Sequence, residues 1–326
     1  MPLLPGHDPR AVQAAAALLA AGELVAFPTE TVYGLGARAD DDAAVARIFA
    51  AKGRPADHPL IVHVADAAGA LVFAASFDEA ARRLMSAFWP GPLTVILPRR
   101  PGCASAAAGG QASIGLRMPA HPVALALLRE AARLGVPGVA APSANRYGRV
   151  SPTTAAHVRQ EFGDALAVLD GGACEVGIES AIVDCTRQQP ALLRPGQIGR
   201  AALEAVLGVP LAAPDAASPR APGTLASHYA PAAALQMLDT AELQARLQAP
   251  ARAGPVVGVY SRLVPAPGAG WVHRAMPADA AAVAHELFAV LREFDAAGVA
   301  AIWVERPPPG PEWEGVRDRL GRAAAA

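Results

Sequence analysis

Cysteine is scarce in this 326-residue sequence: Cys103, Cys174 and Cys185 stand alone, with no CxxC spacing. That excludes a disulfide-stapled scaffold and a thiolate zinc site, and it reads as reduced bystander thiols in a cytoplasmic protein. No stretch approaches the ~18 consecutive bulky apolar residues of a membrane span. Aromatic residues make up 5% of the chain and the formal net charge is −1. Neither stacking platforms nor a global basic field therefore draw it onto nucleic acid, so any RNA contact would have to be local or indirect. There is no GxxxxGK[ST] loop, no GxSxG elbow and no histidine cluster with metal-ligand spacing, so no resident metal is expected.

What the sequence does have is a 53% hydrophobic share with 17% charged residues, the profile of an ordinary globular chain. Much of that share is alanine. Asp8-Pro9 reads as an N-cap followed by proline at the first helical position, and Gly22 suits the helix end. Residues 11–21 lack the basic leader of a signal peptide, so they read as a soluble amphipathic helix. Strands are predicted at 23–27, 60–64, 93–97, 113–117, 138–141, 167–170, 180–184 and 191–194. Helices are predicted at 41–51, 78–88, 122–134 and 153–162. This mixture predicts an α/β or α+β single-sheet domain over 1–208. Residues 209–231, with five prolines among small residues, read as a linker. Over 232–326 strands alternate with helices, which predicts a smaller Rossmann-like domain; its first turn carries no GxGxxG.

Chemistry concentrates in a few punctuated motifs. Phe27-Pro-Thr-Glu-Thr-Val-Tyr-Gly-Leu-Gly36 carries more hydrogen-bonding capacity than a strand exit needs. Lys52-Gly-Arg-Pro-Ala-Asp-His-Pro-Leu60 sets two cations between stiffening prolines, an arrangement suited to a triphosphate. In Ser113-Ile-Gly-Leu-Arg117 the period-two alternation puts Ser113, Gly115 and Arg117 on one face, a shallow anion-binding surface. Ala141-Pro-Ser-Ala-Asn-Arg-Tyr-Gly-Arg-Val-Ser151-Pro leads to an expected Ser-Pro helix start, whose free N–H groups favour phosphate. Ser180 and Arg194 fall at a strand start and a strand end. Lys52, Arg54, Arg117 and Arg194, with the serines, fit a nucleoside triphosphate better than a single carboxylate.

Taken in order over residues 10–231, these motifs resemble the threonylcarbamoyl-AMP synthase family. Ala221-Pro-Gly-Thr-Leu-Ala-Ser-His-Tyr-Ala-Pro231 and the segment 312–324 resemble its long, two-domain form. The resemblance implies a twisted mixed α/β sheet of the YrdC-like kind with a concave cationic cavity, plus the smaller domain. It also implies conversion of ATP, L-threonine and bicarbonate to threonylcarbamoyl-AMP and pyrophosphate, with Mg²⁺ carried on the ATP. A downstream tRNA threonylcarbamoyl transferase would then modify adenosine 37. By the same resemblance Thr31, His63, Arg117, Ser180 and the backbone at Ala141 hold L-threonine. Arg54, His58, Ser113, Ser143, Ser151, Arg194 and Tyr229 hold ATP, and Lys52 joins Arg54 at the phosphates. His58 stands where relatives often have asparagine, and Ala181 where a threonine is usual. His228-Tyr229, in an otherwise small-residue tether, is expected to fold over the nucleotide.

Overall fold

A computed structural model describes residues 3–248, 256–264 and 271–325. The remaining positions of the expected domains, 1–2, 249–255, 265–270 and 326, lie outside the described residues. The chain divides into two compact units. One comprises residues 1–147 and 151–224, the other residues 148–150 and 225–326. The residues expected to form a linker are shared between them: 209–224 belong to the first unit and 225–231 to the second.

In chain order the first unit runs β1 (Leu3–Pro5), α1 (Pro9–Ala20), β2 (Val25–Phe27), β3 (Gly34–Arg38), α2 (Asp42–Lys52), β4 (Ile61–His63), α3 (Ala67–Phe73) and α4 (Glu79–Phe88). It continues through β5 (Leu93–Pro98), β6 (Ser113–Arg117), α5 (Pro122–Arg133), β7 (Val139–Ala140), α6 (Ala155–Phe162), β8 (Ala167–Asp170), β9 (Ala181–Asp184), β10 (Ala191–Arg194) and α7 (Arg200–Leu207). Local chemistry explains the helix boundaries. Asp8 caps α1 by accepting the Arg10 N–H, and Ala11, Ala15 and Leu19 bury one stripe. Asp41 accepts the N–H groups of Ala43 and Ala44 at the start of α2. Gly53, left-handed at φ 65°, ends α2 directly after Lys52.

Among the described residues the strands form one mixed ten-stranded sheet, in the order β1-β8-β2-β3-β7-β4-β6-β5-β9-β10. Its right half decides where the site lies. Val62, Val95, Leu97, Ile114, Leu116, Ala181 and Val183 point into the main core. Alternation therefore sends Ile61, His63, Thr94, Ile96, Ser113, Gly115, Arg117 and Ile182 to the opposite face. The register pairs Ile61 with Gly115 and His63 with Arg117, so the two functional strands are aligned residue for residue.

The second unit contains β11 (Ala234–Leu238), α8 (Thr240–Gln248), β12 (Val257–Ser261), β13 (Trp271–Ala275), α9 (Ala280–Ala296), β14 (Ala301–Glu305) and α10 (Glu314–Ala324). Its strands pair in parallel in the order β11-β14-β12-β13, as the Rossmann-like expectation requires, with β13 an additional strand. The buried Glu305 accepts from Thr240 Oγ1 and the N–H groups of Arg262 and Leu263 at the carboxyl end of this sheet. The backbone N–H groups at its crevice are thus satisfied by the protein's own carboxylate.

Candidate active site

The site begins where β5, β6 and β9 run side by side. Thr94 Oγ1 and Ser180 Oγ lie 2.8 Å apart. Arg194, at the end of β10, donates from Nε and Nη2 to the Ser180 carbonyl at 3.1 and 2.9 Å, and from Nη1 to the Pro222 carbonyl at 2.9 Å. The turn after β10 approaches this closely only because residue 196 is glycine: a Cβ there would sit 2.3 Å from the Ala181 nitrogen. Residues 220–222 cover the sheet face. Ala221 packs with Ile61, Ile96 and Ile182, and Arg220 reaches Asp57 at 2.7 Å and the Gln111 side chain through its N–H at 2.8 Å. A cavity of ≈ 10 Å³ remains beneath, lined by Thr94, Ser113, Gly115 and Pro222 among others.

The α2 exit supplies two more cations. Lys52 is buried, and its ammonium donates to the carbonyls of Ser143, at 2.6 Å, and Asn145. Burial first, and then the charge of Arg54, hold Lys52 well below its usual pKa. Arg54 donates to the Pro59 carbonyl at 2.9 Å and stands over the Tyr147 ring. Tyr147 Oη is 3.1 Å from His58 Nδ1, and burial, followed by Arg54, lowers the His58 pKa. Ser151 Oγ donates to Glu179 Oε1 at 2.5 Å. Each of the four expected cations is therefore held on main-chain carbonyls, with Arg117 on that of Gly91 at 3.3 Å.

The remaining polar groups come from the turn between β2 and β3. Thr29 and Thr31 hydroxyls are 2.8 Å apart, and Arg117 Nη1 donates to Thr31 Oγ1 at 2.9 Å. Glu30 Oε1 lies 2.8 Å from Arg117 Nη2, both side chains almost wholly buried. His63 meets Phe27 edge-on, and burial, then the Arg117 charge, push its imidazole down to about 3. It is neutral at physiological pH.

Residues 17–196 match the family Sua5_yciO_yrdC, described as Telomere recombination, and residues 198–325 match the one described as Threonylcarbamoyl-AMP synthase, C-terminal domain. The threonylcarbamoyl-AMP synthase of Bacillus subtilis is 41% identical over 330 residues, spanning 98% of this chain and 94% of its own. The chain belongs to the threonylcarbamoyl-AMP synthase family. It is an enzyme of the nucleotidyltransferase type that this family comprises. The Pyrococcus abyssi threonylcarbamoyl-AMP synthase is 44% identical over 234 residues, 70% of this chain and 68% of its own. The crystal structure of P. abyssi Sua5 complexed with L-threonine superposes with a TM-score of 0.87 at 36% identity, over 97% of this chain and 95% of that one. Escherichia coli YciO shares the fold over 60% of the chain, with a TM-score of 0.50 at 22% identity.

Seen against the threonylcarbamoyl-AMP synthase motifs, the structure links Thr31, His63 and Arg117 in one buried group. Ser180 and Arg194 form a second group with Thr94. Lys52, Arg54, His58 and the carbonyl of Ser143 form a third. Ser113 joins the second group through the cavity lining. The Ala141 N–H is committed to the Ile61 carbonyl at 2.9 Å, which leaves only its own carbonyl as a recognition group. Ser151 does not begin a helix: α6 starts at Ala155, with Thr154 capping the His157 N–H. Tyr229 lies in the second unit, at φ 62°, stacked on Phe288 at 5.5 Å with Arg319 over its ring. Thr94 and Glu179 were not singled out in the sequence. The alternation Thr94–Ile96 carried the signal for the first, and the second adjoins Ser180 directly. Among the described residues no group of three or more His, Cys, Asp or Glu could hold a metal ion, and no helix is long and apolar enough to cross a membrane.

Proposed function

We propose that this enzyme converts L-threonine, bicarbonate and ATP to L-threonylcarbamoyladenylate and pyrophosphate. The product would supply a downstream tRNA threonylcarbamoyl transferase acting on adenosine 37 of tRNAs that read A-starting codons. The observation that carries the reading is the grouping of Arg117 with Thr31 and of Arg194 with Ser180 beside the sheet, with Lys52 and Arg54 held at the exit of α2. The L-threonine complex of the P. abyssi relative supports the amino acid assigned here.

Arg117 and Thr31 take the amino-acid carboxylate, with neutral His63 beside them. Ser113, Ser143, Ser151 and Arg194 take the nucleotide, with Lys52 and Arg54 at its phosphates and Mg²⁺ arriving on ATP. The threonine nitrogen forms a carbamate with bicarbonate, a carbamate oxygen attacks the α-phosphorus, and pyrophosphate leaves. Fixed cations stabilise the charge that develops on the phosphorus and on the leaving group, which needs no reorganisation at the moment of reaction. Admission of a nucleotide requires residues 220–222 to leave the sheet face, since ≈ 10 Å³ holds about one water.

The test is pyrophosphate release measured with each of L-threonine, bicarbonate and ATP omitted in turn. All three are required on this reading. Serine supporting turnover as well as threonine would refute the amino-acid assignment.

A further inference from the structure

Glu30 sits between Thr29 and Thr31, the second of which accepts from Arg117, and its main-chain carbonyl is fixed by the Val176 N–H at 2.7 Å. Its side chain is 6% exposed. Oε1 is 2.8 Å from Arg117 Nη2, yet neither carboxylate oxygen nor that nitrogen has an aligned hydrogen-bond partner. Buried carboxylate oxygens are nearly always satisfied, because an unmet acceptor forfeits its hydration without return. The same pair leaves both an acceptor and a donor unspent, side by side.

Around the pair, the exposed Glu175 acts electrostatically on both His121 and Cys174, while the buried neighbours are held towards their neutral forms. His63 is held neutral by burial and Arg117. His121, buried beside Glu30, is shifted down by desolvation, and the Cys174 thiol is pushed up to about 12 by burial. A buried cation and a buried anion side by side form the complement of a zwitterion. An α-amino acid presents exactly one of each, two bonds apart on the same carbon. Arg117 answers the carboxylate, and the unspent oxygen of Glu30 is left for the ammonium group.

We propose that Glu30 binds the α-ammonium group of the amino-acid substrate and accepts its proton, so that the nitrogen can react. The inference rests on the reading above that Thr31 and Arg117 hold an amino acid. An ammonium nitrogen has no lone pair, and carbamate formation needs one. One proton passes from the nitrogen to Glu30 Oε2, leaving a neutral amine and a neutral carboxyl. The amine lone pair forms the new C–N bond to the bicarbonate carbon. The C–OH bond of bicarbonate breaks, and the hydroxide takes a second proton from nitrogen and leaves as water. The carbamate keeps the single negative charge that bicarbonate brought, and Glu30 returns its proton to solvent when product departs.

The experiment compares binding of L-threonine with that of its α-hydroxy counterpart, 2,3-dihydroxybutanoate of matching configuration, by calorimetry on the full chain. The two ligands share carboxylate and side chain and differ only at the α-substituent. Wild type is expected to prefer threonine by about 30-fold or more, and Glu30→Gln to reduce that preference to about 5-fold or less. A merely structural role would weaken both ligands together and leave their ratio unchanged, which overturns the proposal. Should Glu30→Gln not fold, the ratio is read in Glu30→Asp, which keeps the charge but withdraws it by one methylene. There the preference is expected to fall about 5-fold, and an unchanged ratio again overturns the proposal. Failure of wild type to bind L-threonine at all would instead contradict the functional reading beneath it.

Discussion

Lys52, the only lysine in the chain, holds its ammonium 2.6 Å from the carbonyl oxygen of Ser143. The left-handed Gly53 ends α2 at that point, so the helix delivers the charge to the 143–145 loop in a fixed position. Twin carbonyls orient the group without neutralising it. Lys52→Met should therefore lower kcat/KM for ATP by about 100-fold, the usual consequence of losing one preorganised charge. Lys52→Arg should not restore it, because a planar guanidinium does not fit a socket shaped for a point charge. Steady-state kinetics at varied ATP decide the matter, and a loss under about 3-fold in the methionine variant would contradict the assignment.

His63 makes stability acid-sensitive. Its ordinary pKa of 6.5 falls to about 3 in the folded chain. The unfolded chain therefore takes up a proton through 6.5 that the folded chain refuses until about 3. This contribution is fully present above pH 6.5 and is lost progressively as pH falls toward 3. Between pH 7 and pH 5 wild type should lose about 2 kcal/mol more than His63→Gln, which cannot titrate. Urea unfolding of both proteins at the two pH values reads the difference. Identical losses would show that the imidazole is not held neutral.

Gly196→Ala tests the seat of Ser180. The added Cβ would lie 2.3 Å from the Ala181 nitrogen and 2.8 Å from the Ser180 carbonyl carbon, both rigid backbone. The turn must then lift, at about 2 kcal/mol of stability. Since Arg194 donates to the Ser180 carbonyl from the neighbouring strand, turnover should fall as well. Thermal unfolding and pyrophosphate release, measured together, should both respond. Unchanged values in both would mean that the turn has slack which the geometry denies.

Features with a short physical range were legible in the sequence. Asp8 caps α1 as the Asp-Pro signal indicates, and Asp41 and Asp78, expected as the first residues of helices, are the caps just before them. Alternation along residues 113–117 placed Ser113 and Gly115 on the cavity side without reference to any neighbour. Other elements were hidden by their composition. The strand Gly34–Arg38 carries two glycines that look like turn punctuation. They are there because a Cβ at Gly36 would press on Phe27 and Val139 at 2.8 Å. The strand Trp271–Ala275 has no buried face, so no apolar alternation announces it. Helices Ala67–Phe73 and Arg200–Leu207 are too short to establish a period. Within the site, the cations and serines stood out by type. The pairing of Glu30 with Arg117 depends on a sheet register set by distant strands, and no local pattern encodes it.

The most direct measurement follows a labelled carbon. The enzyme is incubated with ATP, L-threonine and ¹³C-bicarbonate, and the nucleotide products are resolved by mass spectrometry. The account predicts an adenylate that contains threonine and one ¹³C atom, formed in step with pyrophosphate. An adenylate of threonine without the label, or pyrophosphate released with no threonine-containing nucleotide, would contradict it.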